Sequence, residues 1–461
     1  MNRIIAILVM LAILLTVGAC SASIGPQVKP QNVDGEITGK RSPTNGAYDM
    51  AVDAEMALPS AEEVDPAIKD MVADAIDKVV KDAIAEGSYS SEVEMPTVPM
   101  DTAAPKGDYG EAPDIKPGGK NPPDQISSGT LTAAEWRDHA NWEGWLDFIR
   151  DNTRYEIARR FGLLANKRLQ LTIRNGNEPV KNAKVELLDG NGKVLFEAVS
   201  DYNGCAYLFY GVKDEQQRAP ATLRVTASDG TKAEVAYDGK DEMTLDMAAK
   251  NGEVKLDLMF VVDTTGSMGD ELEYLKAELR DVVIKAGQQQ NMKIRTSVNF
   301  YRDEGDEYIV RYFGFKDDIS EAVKNISAQY SDGGGDYEEA VHTALDNAVF
   351  GHAWDEDSVK LLFLVLDAPP HADSEVYESL QKTILEAARQ GIRIIPLSSS
   401  GTDTTCEVLF RTWAALTGGT YAFITDHSGI GNPHAEPTVS GEYTVEKLNA
   451  MLIRLIGEYC S

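Results

Sequence analysis

The sequence predicts an α/β fold over its carboxyl-terminal part, with a mostly parallel sheet and helices on both faces. Two observations support this prediction. Apolar runs of strand length alternate with amphipathic stretches of helical period from about Val254 to the end of the chain. The first run, from Val254 to Val262, is almost continuously apolar, as expected for a strand buried on both faces. We therefore expect residues 253–461 to form one α/β domain.

The strands and helices of this domain can be placed in chain order. After the first strand, a helix begins near Gly269 and carries its apolar residues on one stripe. Further strands are predicted at residues 293–301, 308–315, 359–366, 393–398 and 420–424, and helices at 318–329, 337–349, 374–390, 405–417 and 444–459. The acidic turn from Asp303 to Asp306 lies between the second and third strands and predicts an antiparallel hairpin at a sheet edge.

A small β domain is predicted to precede the α/β domain, at residues 166–248. Turns such as Asn175-Gly176 and Asn203-Gly204 separate the predicted strands at residues 169–173, 183–187, 194–199, 206–209 and 222–226. The segment from Pro179 to Val185 resembles the carboxypeptidase-regulatory-like family of surface proteins. That resemblance implies a β-sandwich that serves as a spacer or as an accessory binding module.

The chain before this sandwich is predicted to hold little regular structure. Residues 131–165 are expected to form a helical element, capped by Thr132, whose clustered tryptophans pack on the neighbouring sandwich rather than on sugar rings. Residues 20–130 are rich in proline, glycine and acidic side chains, which predicts a disordered tether. Helical spacing of apolar residues at positions 65–86 predicts one helix within it, either transient or a docking element.

The first residues read as a targeting segment, residues 1–19. The apolar run from Ile4 to Val17 is shorter than the ~20 residues that a bilayer span needs. It ends in Val17-Gly18-Ala19-Cys20, which resembles the lipobox of bacterial lipoproteins. The resemblance implies lipidation of Cys20 and a protein anchored to a membrane of the bacterial cell envelope, exposed outside the cytoplasm. The alternative is an ordinary cleaved signal peptide.

A cluster of oxygen-bearing side chains follows the first strand of the α/β domain. Asp263, Thr265 and Ser267 alternate directly after the apolar run. Their side chains are expected to converge at the carboxyl edge of the sheet, where open α/β sheets bind ligands. One carboxylate and two hydroxyls form a hard-oxygen set that suits Mg²⁺, Mn²⁺ or Ca²⁺ and is poor for Zn²⁺.

Here the chain resembles the von Willebrand factor type A (VWA) family, whose metal-ion-dependent adhesion site is written D-x-S/T-x-S. Asp332 to Val341 resembles the family's second metal loop, and Leu361 to His371 its third. The resemblance implies a Rossmann-like fold and a divalent cation, most simply Mg²⁺, with Ca²⁺ or Mn²⁺ as alternatives. It also implies that Asp367 completes the ligand set and that Asp336 replaces the family's usual second-loop threonine. An acidic side chain of a protein partner would then bind at the ion.

Several residues keep a plainer interpretation beside the functional one. Asp336 can cap the helix predicted at residues 337–349. The acidic turn at residues 303–307 can hold a second cation, but a solvated turn is expected. His371 can act as a base, but a surface histidine is expected. Cys406 and Cys460 can form a disulfide in an exported protein or remain buried thiols, and the pattern leaves both open.

Composition narrows the function. The formal net charge is −30, which argues against nucleic-acid binding because few cations are left to neutralise phosphates. No zinc-hydrolase, phosphate-loop or nucleophile-elbow motif occurs in the sequence, so we expect a protein that is not an enzyme. The sequence therefore predicts an envelope lipoprotein that binds a protein partner through a divalent cation. The alternatives are a metal-dependent hydrolase and an assembly scaffold that needs no ion.

Overall fold

A computed structural model of the chain describes residues 32–38, 126–213, 218–288 and 292–460. The predicted targeting segment, Cys20 and the helix at residues 65–86 lie outside the described residues. Among the helices that are described, none combines the length and the apolar character needed to cross a bilayer. Elements are numbered below in chain order within the described ranges.

The centre of the carboxyl-terminal part is a nine-stranded sheet whose five middle strands are parallel. In spatial order these strands are β12 (Lys293–Tyr301), β11 (Lys255–Asp263), β14 (Val359–Leu366), β15 (Ile392–Ser398) and β16 (Tyr421–Thr425). Every residue of β14 and β15 is buried, as the apolar runs of the sequence predicted. The mostly parallel sheet with helices on both faces confirms the predicted fold class.

Four antiparallel strands extend the sheet at its two edges, and three of them were not predicted. Beside β12 lie β13 (Val310–Tyr312) and then β1 (Gly35–Ile37). Beside β16 lie β2 (Thr132–Trp136) and then β17 (Glu446–Lys447). The predicted β12–β13 hairpin is therefore present, but β1, from within the predicted tether, covers its outer edge.

The helix predicted to start at Leu131 is wrong, because residues 132–136 form strand β2. Alanine and glutamate favour helices in isolation, but five residue pairs with β16 are available to this segment. Ala133 and Ala134 are fully buried on opposite faces of the sheet, so pairing and burial outweigh the local propensity. Two helices do follow, α1 (Trp142–Ile149) and α2 (Asn152–Arg160).

Helices cover both faces of the sheet and enclose two apolar cores. Along β11, Met259 and Val261 belong to one core, whereas Leu258 and Phe260 belong to the other, as strand alternation requires. The second core takes α3 (Leu272–Gly287), α4 (Ile319–Ser327) and α8 (Leu448–Cys460). The first takes α5 (Val341–Phe350), α6 (Ser374–Gln390) and α7 (Thr404–Thr417).

The two cores explain why one of the two cysteine interpretations fails. Cys205, Cys406 and Cys460 are all free thiols. Cys406 at the start of α7 belongs to the first core, and Cys460 at the end of α8 belongs to the second. The sheet separates the two thiols, and a disulfide needs Cα atoms less than about 7 Å apart. The alternative of buried thiols therefore holds for Cys406 and Cys460.

The predicted β domain is a sandwich of two four-stranded sheets. One sheet holds β3 (Arg168–Asn175), β4 (Glu178–Pro179), β7 (Cys205–Phe209) and β10 (Glu242–Asp246), and the other β5 (Lys184–Asp189), β6 (Val194–Val199), β8 (Pro220–Thr226) and β9 (Lys232–Ala236). At the predicted Asn203-Gly204 turn, a Cβ on Gly204 would lie 2.3 Å from the Ile173 carbonyl oxygen, so only glycine fits there.

The sandwich packs directly on the large sheet's helices and shares the first apolar core with them. His139, after β2, stacks on Tyr207 of β7 with ring centroids 3.6 Å apart, and its Nε2 lies 2.9 Å from the Ala415 carbonyl oxygen of α7. The predicted packing role of the tryptophans also fits, since Trp145 is fully buried and donates to the Ala165 carbonyl. The sandwich is therefore fixed against the α/β domain rather than strung before it.

His139 predicts a specific loss of stability in acid. Burial, with the nearby Arg168 charge, lowers its pKa to about 3, against about 6.5 in an unfolded chain. As the pH falls, the unfolded state therefore takes up a proton on His139 near pH 6.5, whereas the folded state takes it up only near pH 3. Stability from this group is complete above pH 6.5 and is lost as the pH falls, by about 2–3 kcal/mol at pH 4.5.

Denaturation of the native protein and His139→Gln across this pH range measures the effect. The stability difference between the two proteins should shift in favour of the variant by about 2–3 kcal/mol between pH 7 and pH 4.5. A difference that does not change with pH would show that the imidazole is not held neutral.

Candidate metal centre

The candidate site lies where three loops leave the carboxyl edge of the parallel strands. Asp263 is the last residue of β11, and Asp367 directly follows β14. The loop before α5, residues 332–340, reaches the same edge, where the Glu339 amide donates to the Pro369 carbonyl at 3.0 Å. Since β11 and β14 are neighbours in register, the ends of their strands bring Asp263 and Asp367 together.

The first loop is organised around one oxygen of Asp263. The Oδ1 atom of Asp263 accepts hydrogen bonds from the Thr265 amide at 2.8 Å and the Thr265 hydroxyl at 2.6 Å. The Thr265 hydroxyl lies 3.2 Å from that of Ser267, at the start of a short 3₁₀ helix, Gly266–Asp270. Asp263 and Thr265 are fully buried, whereas Ser267 is exposed. The loop therefore presents a carboxylate and two hydroxyls in sequence from interior to surface.

The second loop is held against the first by its glycines. The Gly333 carbonyl accepts from the Gly266 amide at 3.1 Å, and Asp306 Oδ2 accepts from the Gly334 amide at 2.9 Å. Gly334 has a positive φ of +74°, and a Cβ there would lie 3.1 Å from Glu339 Oε1. The Gly-rich sequence thus allows the backbone to pass close to both Asp306 and Glu339.

The buried carboxylate of the second loop is Glu339, whereas Asp336, the ligand that the resemblance implied, is exposed. Glu339 is 3% exposed, and the charges of Asp263, Asp303 and Asp367 act on it. Asp336 is exposed and does not cap the following helix either, since that helix begins only at Val341. Because the second loop runs on for four residues beyond Asp336, it is the Glu339 side chain that turns inward. Glu339 directly precedes the buried residues Ala340 and Val341. In the sequence, the neighbouring Glu338 makes the two glutamates look like one exposed acidic pair.

The carboxylate site, which we define as Asp263, Thr265, Ser267, Glu339 and Asp367, holds three oxygen atoms without partners. Asp263 Oδ2, Glu339 Oε2 and Asp367 Oδ1 are buried and accept no hydrogen bond from any described residue. A buried, unpaired carboxylate oxygen is costly, and such groups are normally satisfied by a donor or a cation. Carboxylates and hydroxyls are the donor set of a hard divalent cation, so these residues fit the ion that the sequence predicted.

Electrostatics at the carboxylate site point the same way. Burial raises the pKa of Asp263 to about 6, against the hydrogen bonds from Thr265. Burial and the charge of Asp263 raise the pKa of Asp367 to about 8, against the Ser267 hydroxyl. Burial and the neighbouring carboxylates raise the pKa of Glu339 to about 10. Three carboxyl groups therefore disfavour one another's charge, and a positive ion among them would reverse that repulsion.

Tyr301, which the sequence analysis did not single out, closes the inner side of the site. It is the last residue of β12 and is fully buried, and its hydroxyl lies beside the Asp263 carboxylate. Burial, followed by the charges of Asp263, Asp367 and Glu339, raises its pKa well above the ordinary value. The neutral phenol thus contributes one more oxygen, on the interior side, without adding charge.

A second group of metal-type side chains lies beside the carboxylate site. Ligand atoms of Asp303, Asp336 and His371 all fall within 4.8 Å of one another. His371 Nε2 lies 2.7 Å from Asp303 Oδ1, and this contact raises the His371 pKa, against the effect of burial. His371 is thus an ion-pair partner rather than a plain surface histidine. The acidic turn itself does not gather around one point, because Asp306 binds backbone amides and Glu307 lies near arginines.

Comparison with known proteins assigns this part of the chain. The family model described as the von Willebrand factor A domain matches residues 257–426. These residues form a VWA domain. VWA domains generally mediate interactions between proteins, and they often bind a divalent cation. The structure brings together Asp263, Thr265, Ser267 and Asp367 in this VWA domain, and adds Glu339 from the second loop.

Individual relatives also match only part of the chain. Over 132 residues the chain is 33% identical to an ariadne-like RING finger protein of Acanthamoeba polyphaga mimivirus. That match takes in 28% of this chain, which spans only 12% of the length of the viral protein. Among solved structures, the conserved hypothetical protein BatB from Bacteroides thetaiotaomicron matches 44% of this chain and 98% of its own length, with 12% identity and a TM-score of 0.30.

Proposed function

We propose that this protein is a lipid-anchored protein of the bacterial cell envelope that binds a protein partner through a divalent cation at its carboxylate site. The single observation that carries the ion is the set of three buried oxygens without partners, on Asp263, Glu339 and Asp367. The donor set favours Mg²⁺, Ca²⁺ or Mn²⁺. When bound, the ion would supply a position that a partner's Asp or Glu carboxylate can occupy.

The chain's own residues prepare the site for this role. Hydrogen bonds from Thr265 hold the Asp263 carboxylate in place before any ligand arrives. Ser267, Gly266 and Gly335 lie exposed at the mouth, so a side chain of another protein can approach from solvent. Glu339 adds a third buried carboxylate, which should strengthen the hold on the ion and reduce its residual charge toward an acidic partner.

The envelope location rests on the sequence alone. The segment Val17-Gly18-Ala19-Cys20, with its lipobox resemblance, lies outside the described residues. The net charge of −30 also argues against electrostatic attachment to anionic lipid, so acyl chains on Cys20 are the means of attachment that the sequence favours.

Calorimetric titration of the full-length protein with MgCl₂, CaCl₂ and MnCl₂ tests the ion site. At least one salt should give a binding isotherm, and Asp263→Ala should give none because it removes the central carboxylate while leaving a small side chain in its place. Stability should rise with ion concentration, by about 2.7 kcal/mol at a hundredfold excess over Kd. Asp332→Ala is the matched control, since that exposed carboxylate lies on the second loop but outside the carboxylate site.

Partner binding is measured by capture from a bacterial envelope extract, with and without chelator. A partner that is released by chelator and is not retained by Asp263→Ala supports the proposal. Equal capture under all four conditions, with no heat of ion binding, would instead identify an ion-independent scaffold. Turnover of phosphoester or amide substrates that Asp263→Ala abolishes would identify a metal-dependent hydrolase.

A further inference from the structure

The N-terminal segment at residues 32–38 is fastened to the edge of the VWA sheet at both of its ends. At the first end, the Asn32 side chain donates to the Phe315 carbonyl at 2.9 Å and accepts from the Phe315 amide at 3.0 Å. At the other end, the Ile37 carbonyl accepts from the Ile309 amide at 2.8 Å. Between them, strand β1 pairs with β13, and Asp34 accepts from the Gly314 amide at 3.0 Å.

The strand directions show at which end of the domain this segment arrives. β1 is antiparallel to β13, and β13 is antiparallel to β12, so β1 runs with the parallel strands, toward the carboxylate site. Ile37 pairs with Val310, which in turn pairs with Tyr301 at the site. Asn32 lies by Phe315, next to the Lys316–Thr296 bridge. Thr296 precedes Tyr301 by five residues of strand, or about 17 Å.

We propose that β1 orients the membrane-anchored protein so that the carboxylate site faces away from the membrane that holds Cys20. The site would then take a partner that is soluble or displayed on a facing surface, rather than a neighbour in the same leaflet. This inference rests on the proposed lipidation of Cys20.

The length of the connection favours the orientation in which the site faces away from the membrane. About twelve residue steps separate Cys20 from Asn32. They span at most about 43 Å when fully extended, and a flexible chain of that length averages roughly 17–21 Å. With the site facing away, the entry point can rest near the lipid surface and the connection stays relaxed. With the site facing the membrane, the same connection must run back along the 17 Å of strand and past the loops beyond it, which stretches it beyond its relaxed length of roughly 17–21 Å.

Without β1, the connection to Cys20 would not constrain the orientation of the domain relative to the membrane. The next fixed point along the chain is at residue 126, so about 106 residue steps would separate it from Cys20. A flexible chain of that length averages roughly 50–60 Å, enough for the domain to turn freely. The docked segment therefore shortens the connection between Cys20 and the first fixed point from about 106 residue steps to about twelve.

Energy transfer from the protein to a membrane-surface dye tests the orientation. The full-length acylated protein is placed in liposomes of phosphatidylcholine and phosphatidylglycerol that carry an acceptor on the lipid headgroup. Donor dyes are attached in a Cys205→Ser background to Gly335→Cys, at the site, or to Lys293→Cys, at the opposite end of β12. Both positions are exposed, and a Cβ at Gly335 meets no atom within 4 Å. Transfer should be clearly stronger from the Lys293 position.

Two variants release β1 by different means. Gly314→Val places a side chain where a Cβ would already lie 2.8 Å from the Asn32 carbonyl carbon. Asn32→Ala combined with Asp34→Ala removes the side-chain hydrogen bonds and the ion pair of Asp34 with Lys316 without adding any atoms. Either should remove the difference in transfer between the two dye positions. Val33→Ala, in the same segment but 49% exposed, is the matched control and should keep it.

Different results would contradict the lipid anchor and the orientation. If mass spectrometry finds no acyl chains on Cys20, and Cys20→Ser fractionates like the native protein, the lipid anchor is wrong and the orientation falls with it. If the protein is acylated but both dyes transfer equally, only the orientation is wrong. A difference that persists after β1 is released would show that something other than this strand sets it.

Discussion

Replacing Glu339 with glutamine should stabilise the ion-free protein and weaken its stabilisation by divalent cations. In the absence of an ion, Glu339 is 3% exposed and its Oε2 atom has no partner among the described residues. At neutral pH the side chain either carries an unpaired charge or takes up a proton at a pH far above its ordinary pKa. Both cost free energy, and the neutral amide avoids both, for a gain of about 1–3 kcal/mol.

Scanning calorimetry in chelator and in saturating magnesium separates the two effects. The variant should melt higher than the native protein in chelator and gain less from magnesium. Glu338→Gln is the matched control, the same change one residue earlier on a side chain that is not buried, and should stay within about 0.5 kcal/mol of the native protein in both conditions. A Glu339→Gln protein that gains as much from magnesium as the native one would remove Glu339 from the carboxylate site.

Replacing Arg411 with alanine should destabilise the protein by about 3–5 kcal/mol, because it strands a buried carboxylate. Arg411 is 1% exposed and Asp138 5% exposed, and two hydrogen bonds of 3.0 and 2.7 Å join them. The guanidinium also lies 3.7 Å from the centroid of the Phe148 ring. This pair ties the segment after β2 to α7 of the VWA domain, so its loss should loosen the edge of the sheet.

Denaturant midpoints of matched variants measure the effect. Arg150→Ala removes an ion pair of similar length, 2.6 Å, between side chains that are 66% and 74% exposed, and should cost at most about 1 kcal/mol. Replacing both partners, Arg411→Met with Asp138→Leu, should recover part of the loss, since Asp138 is then not left as a buried unpaired charge, although Glu407 still loses its bond to Arg411. Equal costs for Arg411→Ala and Arg150→Ala would show that burial does not strengthen the inner pair.

Local sequence pattern predicted the parts of this fold whose character is local. The apolar runs of β11 and β14 are long and continuous, and the observed β12, β14 and α6 have the predicted bounds. β1 and β2 were not predicted, because segments of three or five residues of mixed polarity form strands only beside an unpaired sheet edge. The edge with which β1 pairs is formed by residues 310–312, and nothing in the sequence of Gly35–Ile37 indicates that this edge exists.

The candidate site shows the same division. Asp263 and Asp367 could be placed from sequence because each ends an apolar strand, and strand ends converge by rule. Glu339 could not, because its position depends on the path of a glycine-rich loop whose residues at positive φ have no sequence-encoded direction. His371 was interpreted as a surface residue because its partner, Asp303, lies 68 residues away along the chain.

The chain leaves the large sheet after β2, builds the whole sandwich, and re-enters the same sheet at β11. The sandwich is connected to the sheet at both of its ends and packs along α6 and α7, so we expect no hinge between the sandwich and the sheet. The last strand of the sandwich, β10, is followed along the chain by β11, which ends in Asp263 of the carboxylate site. A partner that binds the sandwich therefore also acts on the carboxylate site, because the two are expected to move as one rigid unit.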